Sequence, residues 1–306
     1  MPVSDRHVGM STERADPNLA EIDRWPTRQA VEAMLDGQRQ AIEAIASQTG
    51  ALAIAAEAAA ERLGSDGRLG YAGAGTSGRV GVQDGVELTP TFGWPETRLA
   101  FFIAGGEGAL MRAVEGAEDD AGAGRQAVAD AEFGPSDVLI GIAASGRTPF
   151  TIAAIEEARA RGSLTIAIAS NAQTPLLAAA EHGLLLDTGS EAVAGSTRMK
   201  AGTAQKAALN LLSTAIMLRQ GLVHRGLMVD MQITNAKLYE RAVRMVCEIA
   251  GVDPALARTA LDQGERNIRR SVLIALGLEP ADARQRMEAE PRDFATLVER
   301  LRSEDS

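Results

Sequence analysis

Residues 69–80 read "LGYAGAGTSGRV", and within them Gly73, Gly75 and Gly78 have the spacing G-x-G-x-x-G. The apolar run at 68–73 predicts a short buried strand, and the residues beyond it, through Asp84 to Glu87, predict a helix. A glycine-rich turn between the two offers free backbone N–H groups and the positive end of a helix to an anion. A dinucleotide site would also want a carboxylate about twenty residues further on, placed to hold a ribose. Here the next apolar run closes at Ile103-Ala104-Gly105-Gly106, no carboxylate follows until Glu107, and Glu96 lies before that run. The dinucleotide fingerprint is incomplete. A smaller phosphate fits the loop better.

A second loop resembles the first. "AGAGTSGRV" (72–80) and "GIAASGRTP" (141–149) both carry Ser-Gly-Arg after a predicted strand, at Ser77-Gly78-Arg79 and Ser145-Gly146-Arg147. Hydroxyl groups and backbone N–H groups from two neighbouring turns can surround one phosphate. The plainer account is a pair of tight turns with Ser at a helix N-cap. Further strand-like runs fall at 97–106, 136–145, 164–170 and 182–189, with helical patterns at 109–132 and 150–161 between them. Such alternation predicts an α/β fold, a five-stranded parallel sheet flanked by helices, with ligands at the carboxyl ends of its strands.

Around this sheet the chain is helical. Apolar residues recur at helical spacing from Thr27 to Leu63, with Gly50 as the candidate break. An apolar helix is expected at 199–221, and beyond it helices broken at 251–254, Gly277 and Pro291, with a small bundle from about Ala250. The organisation read from this is an N-terminal arm and helices (1–58), the sheet domain (59–222) and a helical C-terminal region (223–306).

Composition narrows the function classes. A formal net charge of −10 over 306 residues gives no positive field for a nucleic-acid partner. Cys247 is the single cysteine, so there is no intrachain disulfide and no cysteine metal cluster. His7, His182 and His224 lack metal-ligand spacing, and no metal is expected. "MPVSDRHVGMSTERADPNL" has no signal-peptide core, and no apolar run approaches the roughly 20 residues of a membrane span. A cytoplasmic protein without a membrane partner is expected.

The two small-residue loops on a five-stranded parallel sheet resemble the sugar isomerase (SIS) domain. More narrowly, "GAGTSGR", "IAASGRTP", "AVEGAEDD" and "GSTRMKAGTAQKAALNLLSTAIM" look like the N-acetylmuramic acid 6-phosphate etherase family, a resemblance that runs from "TERADPNLAEID" through the helical tail. It implies a phosphosugar substrate whose D-lactyl ether is cleaved without a cofactor. It places the catalytic glutamates on Glu87 in "DGVELTPTF" and Glu118 in "VEGAEDD", and phosphate contacts on Ser77, Ser145 and Thr148. Thr76, Gly78 and Gly146 join these as loop groups, and "GSTRMK" offers Ser196, Arg198 and Lys200 as a further wall. For that segment a helix N-cap by Ser196 or Thr197 is the competing account. Arg79 and Arg147 follow the glycines and are equally suited to outward ion pairs. Relatives pair as homodimers, which is the assembly expected here.

Three departures from the family pattern stand out. Leu88-Thr89 replaces the usual Cys-Pro, Asp16 precedes Pro17 where Asn is common, and Gly85 sits where Ala is usual. None removes a proposed catalytic group. Unaided, the acidic cluster Glu115, Glu118, Asp119 and Asp120 reads as a solvated face. Two rival functions share the fold: a non-catalytic phosphosugar sensor like the glucokinase regulatory proteins, and an aldose–ketose phosphosugar isomerase.

Overall fold

The computed structural model describes residues 10–112, 114–289 and 294–304. His7, the first nine residues of the arm and the break expected at Pro291 lie outside the described residues. The chain divides into two compact units: the described residues up to Gly85 with Thr97–Ile216, and Val86–Glu96 with the described residues from Met217 onward.

The first unit is the predicted α/β fold. Its strands are β1 (Leu69–Gly73), β2 (Leu99–Ile103), β3 (Val138–Ile142), β4 (Leu164–Ala169) and β5 (His182–Leu185). All four pairings are parallel and the order is β2-β1-β3-β4-β5. β1, β3 and β4 are buried along their whole length, as strands covered on both faces must be, which is why they read as continuous apolar runs and not as alternating ones. In this order the chain leaves β1 toward β2 on one side and returns to β3 on the other. The switch point, where a crevice opens at the strand ends, lies between β1 and β3.

The helices of this unit are α1 (Thr27–Ala46), α2 (Thr49–Leu63), α3 (Gly75–Phe92, entering the second unit in its last turns), α4 (Ala121–Asp130), α5 (Pro149–Ala160), α6 (Pro175–Ala179) and α7 (Lys200–Arg219, likewise). The break between α1 and α2 falls at Ser47-Gln48 and not at Gly50, which lies inside the first turn of α2. Gln48 has work at that break: its Oε1 accepts from the backbone N–H of Leu185 on β5, at 3.3 Å. The single helix expected over 109–132 is also divided. Short 3-10 turns at Glu107–Leu110 and Ala117–Asp119 precede α4, with Gly116 left-handed at φ 72°. Asp120 then caps α4 by accepting from the Ala123 N–H at 2.9 Å.

Two polar clusters organise the sheet. At the start of β1 and β3, the Asp137 carboxylate accepts from the Arg68 N–H (2.8 Å), the Arg68 guanidinium (2.7 Å) and the Gly134 N–H (2.9 Å). The same guanidinium reaches the Ala131 and Glu132 carbonyls and lies over the Phe133 ring. Burial pushes the Asp137 carboxyl up, but the Arg68 side chain, the two backbone N–H groups and the Arg68 charge outweigh it and hold it below its ordinary value. Under α3, the fully buried Tyr71 hydroxyl donates to Asp84 at 2.8 Å, and Asn210 and Ser213 of α7 donate to the other oxygen at 2.7 and 3.1 Å. Burial raises the Asp84 pKa against these three donors and the Lys206 charge.

The structure gives a reason for the departure at Gly85 and accommodates the one at Asp16, where Asp and Asn cap equally well. A Cβ on Gly85 would meet the Phe101 ring at 2.6 Å and Tyr71 at 2.9 Å, so the glycine makes room for the stack of those two rings. Asp16 caps the turn at Pro17–Leu19 by accepting from the Asn18 N–H at 2.9 Å.

The second unit is a helical bundle of α8 (Ala236–Ala250), α9 (Pro254–Gln263), α10 (Ile268–Ala275), α11 (Pro280–Ala289) and α12 (Phe294–Glu304). It begins at α8, earlier than Ala250, because Val243, Val246 and Ile249 share one core with Leu261, Val272, Leu273 and Phe294. In it Arg269 pairs with the partly buried Asp230, whose pKa desolvation pushes up to about 6 against the Arg269 charge.

The Asp137 cluster makes a pH prediction. A carboxylate whose native pKa is lowered adds stability above its unfolded pKa of about 3.9, and that share is lost as pH falls through the lower native value. Asp137→Asn is therefore expected to unfold at lower urea than the parent protein at pH 7, with the gap narrowing below about pH 4. A gap independent of pH would contradict the assignment.

Candidate active site

The loop after β1 is held by two missing side chains. A Cβ on Gly78 would meet the Gly73 carbonyl oxygen at 2.9 Å, and one on Gly73 would meet the Gly78 nitrogen at 2.9 Å. The first turn of α3 consequently sits directly on the end of β1. Gly75 turns the chain with φ 52°. Thr76, Ser77 and Gly78 fall in that first turn; the N–H groups of Thr76 and Ser77 have no helical acceptor, whereas that of Gly78 donates to the Ala74 carbonyl at 3.1 Å. Ser77 is nearly buried, and its Oγ lies 3.0 Å from Oε1 of Gln205 on α7.

The loop after β3 is built differently. Gly146 has φ 64°, and a Cβ there would meet the Thr174 Oγ1 at 2.3 Å, so no other residue fits. The Gly146 N–H donates to the Ala143 carbonyl at 2.9 Å and the Arg147 N–H to the Ser145 Oγ at 3.1 Å. That second bond uses a lone pair of Ser145 and leaves its proton free to donate. Thr148 flanks α5 at the N-cap position without a side-chain capping bond, and Pro149 supplies the first helical residue.

Because β1 and β3 are neighbours, the two loops face one crevice. A cavity of about 410 Å³ is lined by Thr76 and Ser77 from the first, by Ser145, Arg147 and Thr148 from the second, and by Glu118. Gly78 and Gly146 are not lining residues; they shape the loops that are. Glu118 reaches the cavity because Gly116 turns the chain just before it. Of the acidic cluster, Glu118 and Asp119 line the cavity and Asp120 serves as the α4 cap.

Among the polar lining residues, Glu13, Asp119 and Thr197 went unnamed in the sequence as site residues. Glu13 arrives with the N-terminal arm, which Asn171 pins at the end of β4. Asn171 accepts from the Ser11 hydroxyl (3.1 Å) and donates to the Thr12 hydroxyl (3.0 Å) and the Ala144 carbonyl (3.0 Å). Nothing local marks that contact, since Ser11 and Asn171 lie 160 residues apart. Arg147 faces the cavity, whereas Arg79 is tied to the Ala109 and Leu110 carbonyls.

The "GSTRMK" wall is represented in this cavity by Thr197; Ser196 and Arg198 are not lining residues. Lys200 is buried elsewhere, its Nζ donating to the Gln40 Oε1 at 3.0 Å and the Ser190 carbonyl at 3.1 Å beside a separate cavity of about 270 Å³. The cap of α7 is neither Ser196 nor Thr197. Glu191, nine residues before the helix and almost fully buried, accepts from the Lys200 and Ala201 N–H groups at 2.9 Å each. Glu87 is exposed on α3, about three turns beyond Gly75, and is not a lining residue. Among the described residues, no three His, Cys, Asp or Glu side chains are grouped to hold a metal, and no helix is long and apolar enough to cross a membrane.

This strand order, with hydroxyl-bearing loops meeting at the switch point, is that of a SIS-domain protein. A model of the glucokinase regulatory protein N-terminal SIS domain matches residues 51–159, and a SIS domain model matches 124–215. A solved Bacteroides fragilis structure, whose name proposes a phosphosugar isomerase involved in capsule formation, superposes with a TM-score of 0.50 at 19% identity, over 66% of this chain and 95% of that one. The nearer relatives are more specific. An N-acetylmuramic acid 6-phosphate etherase of Deinococcus radiodurans is 48% identical across 90% of this chain and 91% of its own. One of Rubrobacter xylanophilus is 44% identical across 93% and 95%. The chain belongs to the N-acetylmuramic acid 6-phosphate etherase family.

The buried cap yields a direct measurement. Glu191→Ala removes both acceptors from the α7 N-terminus and is expected to lower the free energy of unfolding by about 1–2 kcal/mol in urea titrations. Glu191→Gln, keeping one acceptor, should lose less.

Proposed function

We propose that this protein is a lyase that cleaves the D-lactyl ether of N-acetylmuramic acid 6-phosphate, giving N-acetylglucosamine 6-phosphate and D-lactate in cell-wall amino-sugar recycling. The observation that carries the reading is the cavity at the β1/β3 switch point, with hydroxyls from two loops and Glu118 on one wall. The family membership supplies the substrate class.

In this reading the 6-phosphate sits against the first turn of α3 and the second loop. It accepts from backbone N–H groups and from the Thr76, Ser77, Ser145 and Thr148 hydroxyls, with Arg147 adding positive charge. Ring opening exposes a C1 aldehyde, which acidifies the C2 proton. A glutamate removes that proton, the C3–O bond breaks, and lactate leaves with a proton from an acid. Water then adds at C3 of the unsaturated aldehyde and C2 regains its proton. Each step asks for a positioned acid or base. No metal or electron-accepting group enters this scheme. Glu118 is on hand for one of these roles.

Glu87, the other proposed glutamate, does not line the cavity of its own chain. A homodimer in which it serves the partner's cavity reconciles the two. Such pairing is supported by exposed apolar residues Val31, Leu35 and Ile42 on α1 and Leu211 on α7, which would otherwise face water. Arg198 and Ser196 remain proposed as outer contacts to substrate. Lys200, engaged with Gln40 and Ser190, acts here by holding its own segment. A cytoplasmic location is part of this proposal.

Incubation of the purified protein with N-acetylmuramic acid 6-phosphate is expected to release D-lactate without added cofactor. Tight phosphosugar binding with no lactate would favour the sensor, and ketose formation from another phosphosugar the isomerase. Glu87→Gln and Glu118→Gln should each bind substrate while losing about a hundredfold or more of turnover. Mixing the two variants as a heterodimer restores one intact site if Glu87 crosses between subunits. Absence of recovery would place both glutamates in one chain.

A further inference from the structure

Ser77 has a hydrogen-bonding conflict that points to Gln205. Its hydroxyl lies 3.0 Å from the Gln205 Oε1 and therefore donates its proton to that oxygen. A hydroxyl so committed turns only lone pairs toward the cavity, the wrong polarity for a phosphate oxygen. Gln205 is fully buried, and its Nε2 has no hydrogen-bond partner. A buried amide nitrogen left unpaired beside an engaged oxygen indicates that the two ends of the carboxamide belong the other way round, since they are nearly identical in shape.

We propose that Gln205 is a positioning residue for the phosphate site, its Nε2 donating to the Ser77 Oγ so that the Ser77 proton is aimed into the cavity at the 6-phosphate. The exchange gives the nitrogen a partner and makes Ser77 accept from Gln205, so that toward the cavity it changes from an acceptor to a donor. It moves no backbone atom. Gln205 lies on the second turn of α7, and the first turns of α7 are close to the same loop: Gly202 approaches the Thr76 methyl at 3.3 Å from where a Cβ would stand. The Glu191 cap that fixes the start of α7 thereby also sets where the Gln205 carboxamide meets Ser77. This inference rests on the phosphate-site reading above.

The experiment compares Gln205→Met, Gln205→Glu, Ser77→Ala and the double variant Ser77→Ala/Gln205→Met. The readouts are KM and kcat for lactate release, calorimetric binding of inorganic phosphate, and Tm. Gln205→Glu, which only accepts when ionised and adds negative charge, is expected to raise KM and the phosphate Kd about tenfold or more. Gln205→Met, which leaves the Ser77 hydroxyl unguided, should raise both by about threefold, with kcat nearly unchanged. In the Ser77→Ala background Gln205→Met should have no further effect on KM, because the glutamine acts through that hydroxyl. A purely structural role would instead lower Tm and shift KM equally in both backgrounds, which overturns the proposal. So would unchanged KM in both Gln205 variants when Ser77→Ala weakens binding. If Ser77→Ala leaves KM and phosphate affinity unaltered, the phosphate-site reading itself fails, and the proposal with it.

Discussion

The close approach of α3 to the end of β1 is the constraint from which the site follows. Gly73 and Gly78 touch through backbone alone, and a Cβ on either would lie within 2.9 Å of the other's main chain. With that contact made, a single residue, Ala74, separates the strand from the helix, whose unpaired N–H groups point over the carboxyl edge of the sheet. The strand order puts β3 next to β1, so the second loop opens onto the same crevice. Neither loop surrounds an anion alone. Together they line one wall each.

Charge in this cavity is mixed in a way that suits a two-ended ligand. Donors cluster on the loops, whereas Glu13, Glu118 and Asp119 supply carboxylates on the opposing segments. In the function proposed above, the loops attract the phosphate and the acidic residues repel it, which would leave the sugar ring toward the acids. The acidic wall itself depends on contacts remote in sequence. The Asn171 bonds hold the arm that carries Glu13, and the Gly116 turn presents Glu118.

The support beneath the site is polar and buried. Tyr71, Asp84, Asn210 and Ser213 join β1, α3 and α7 through one carboxylate, and Glu191 closes the end of α7. Groups in such clusters are costly to leave unpaired, so each bond restricts the alternatives open to its neighbours. A site whose donors must stand within tenths of an ångström gains from that rigidity.

What the sequence by itself determined is whatever acts over a few residues. The strand–loop–helix punctuation, the parallel α/β class and the two hydroxyl loops were all legible, because glycine spacing and apolar runs are local signals. The failures were failures of range or of local detail. Residues 109–120 carry helix-compatible composition but are broken by the left-handed Gly116 and the Asp120 cap. Ser196 and Thr197 looked like caps by adjacency, while the real cap, Glu191, folds back from nine residues upstream. Lys200 looked like an anion ligand by charge, yet Gln40 and Ser190 claim it. Tertiary structure alone decided that Gln205 would lie against Ser77, 128 residues away. Side chains so far apart meet only through packing, and packing leaves no period in the chain.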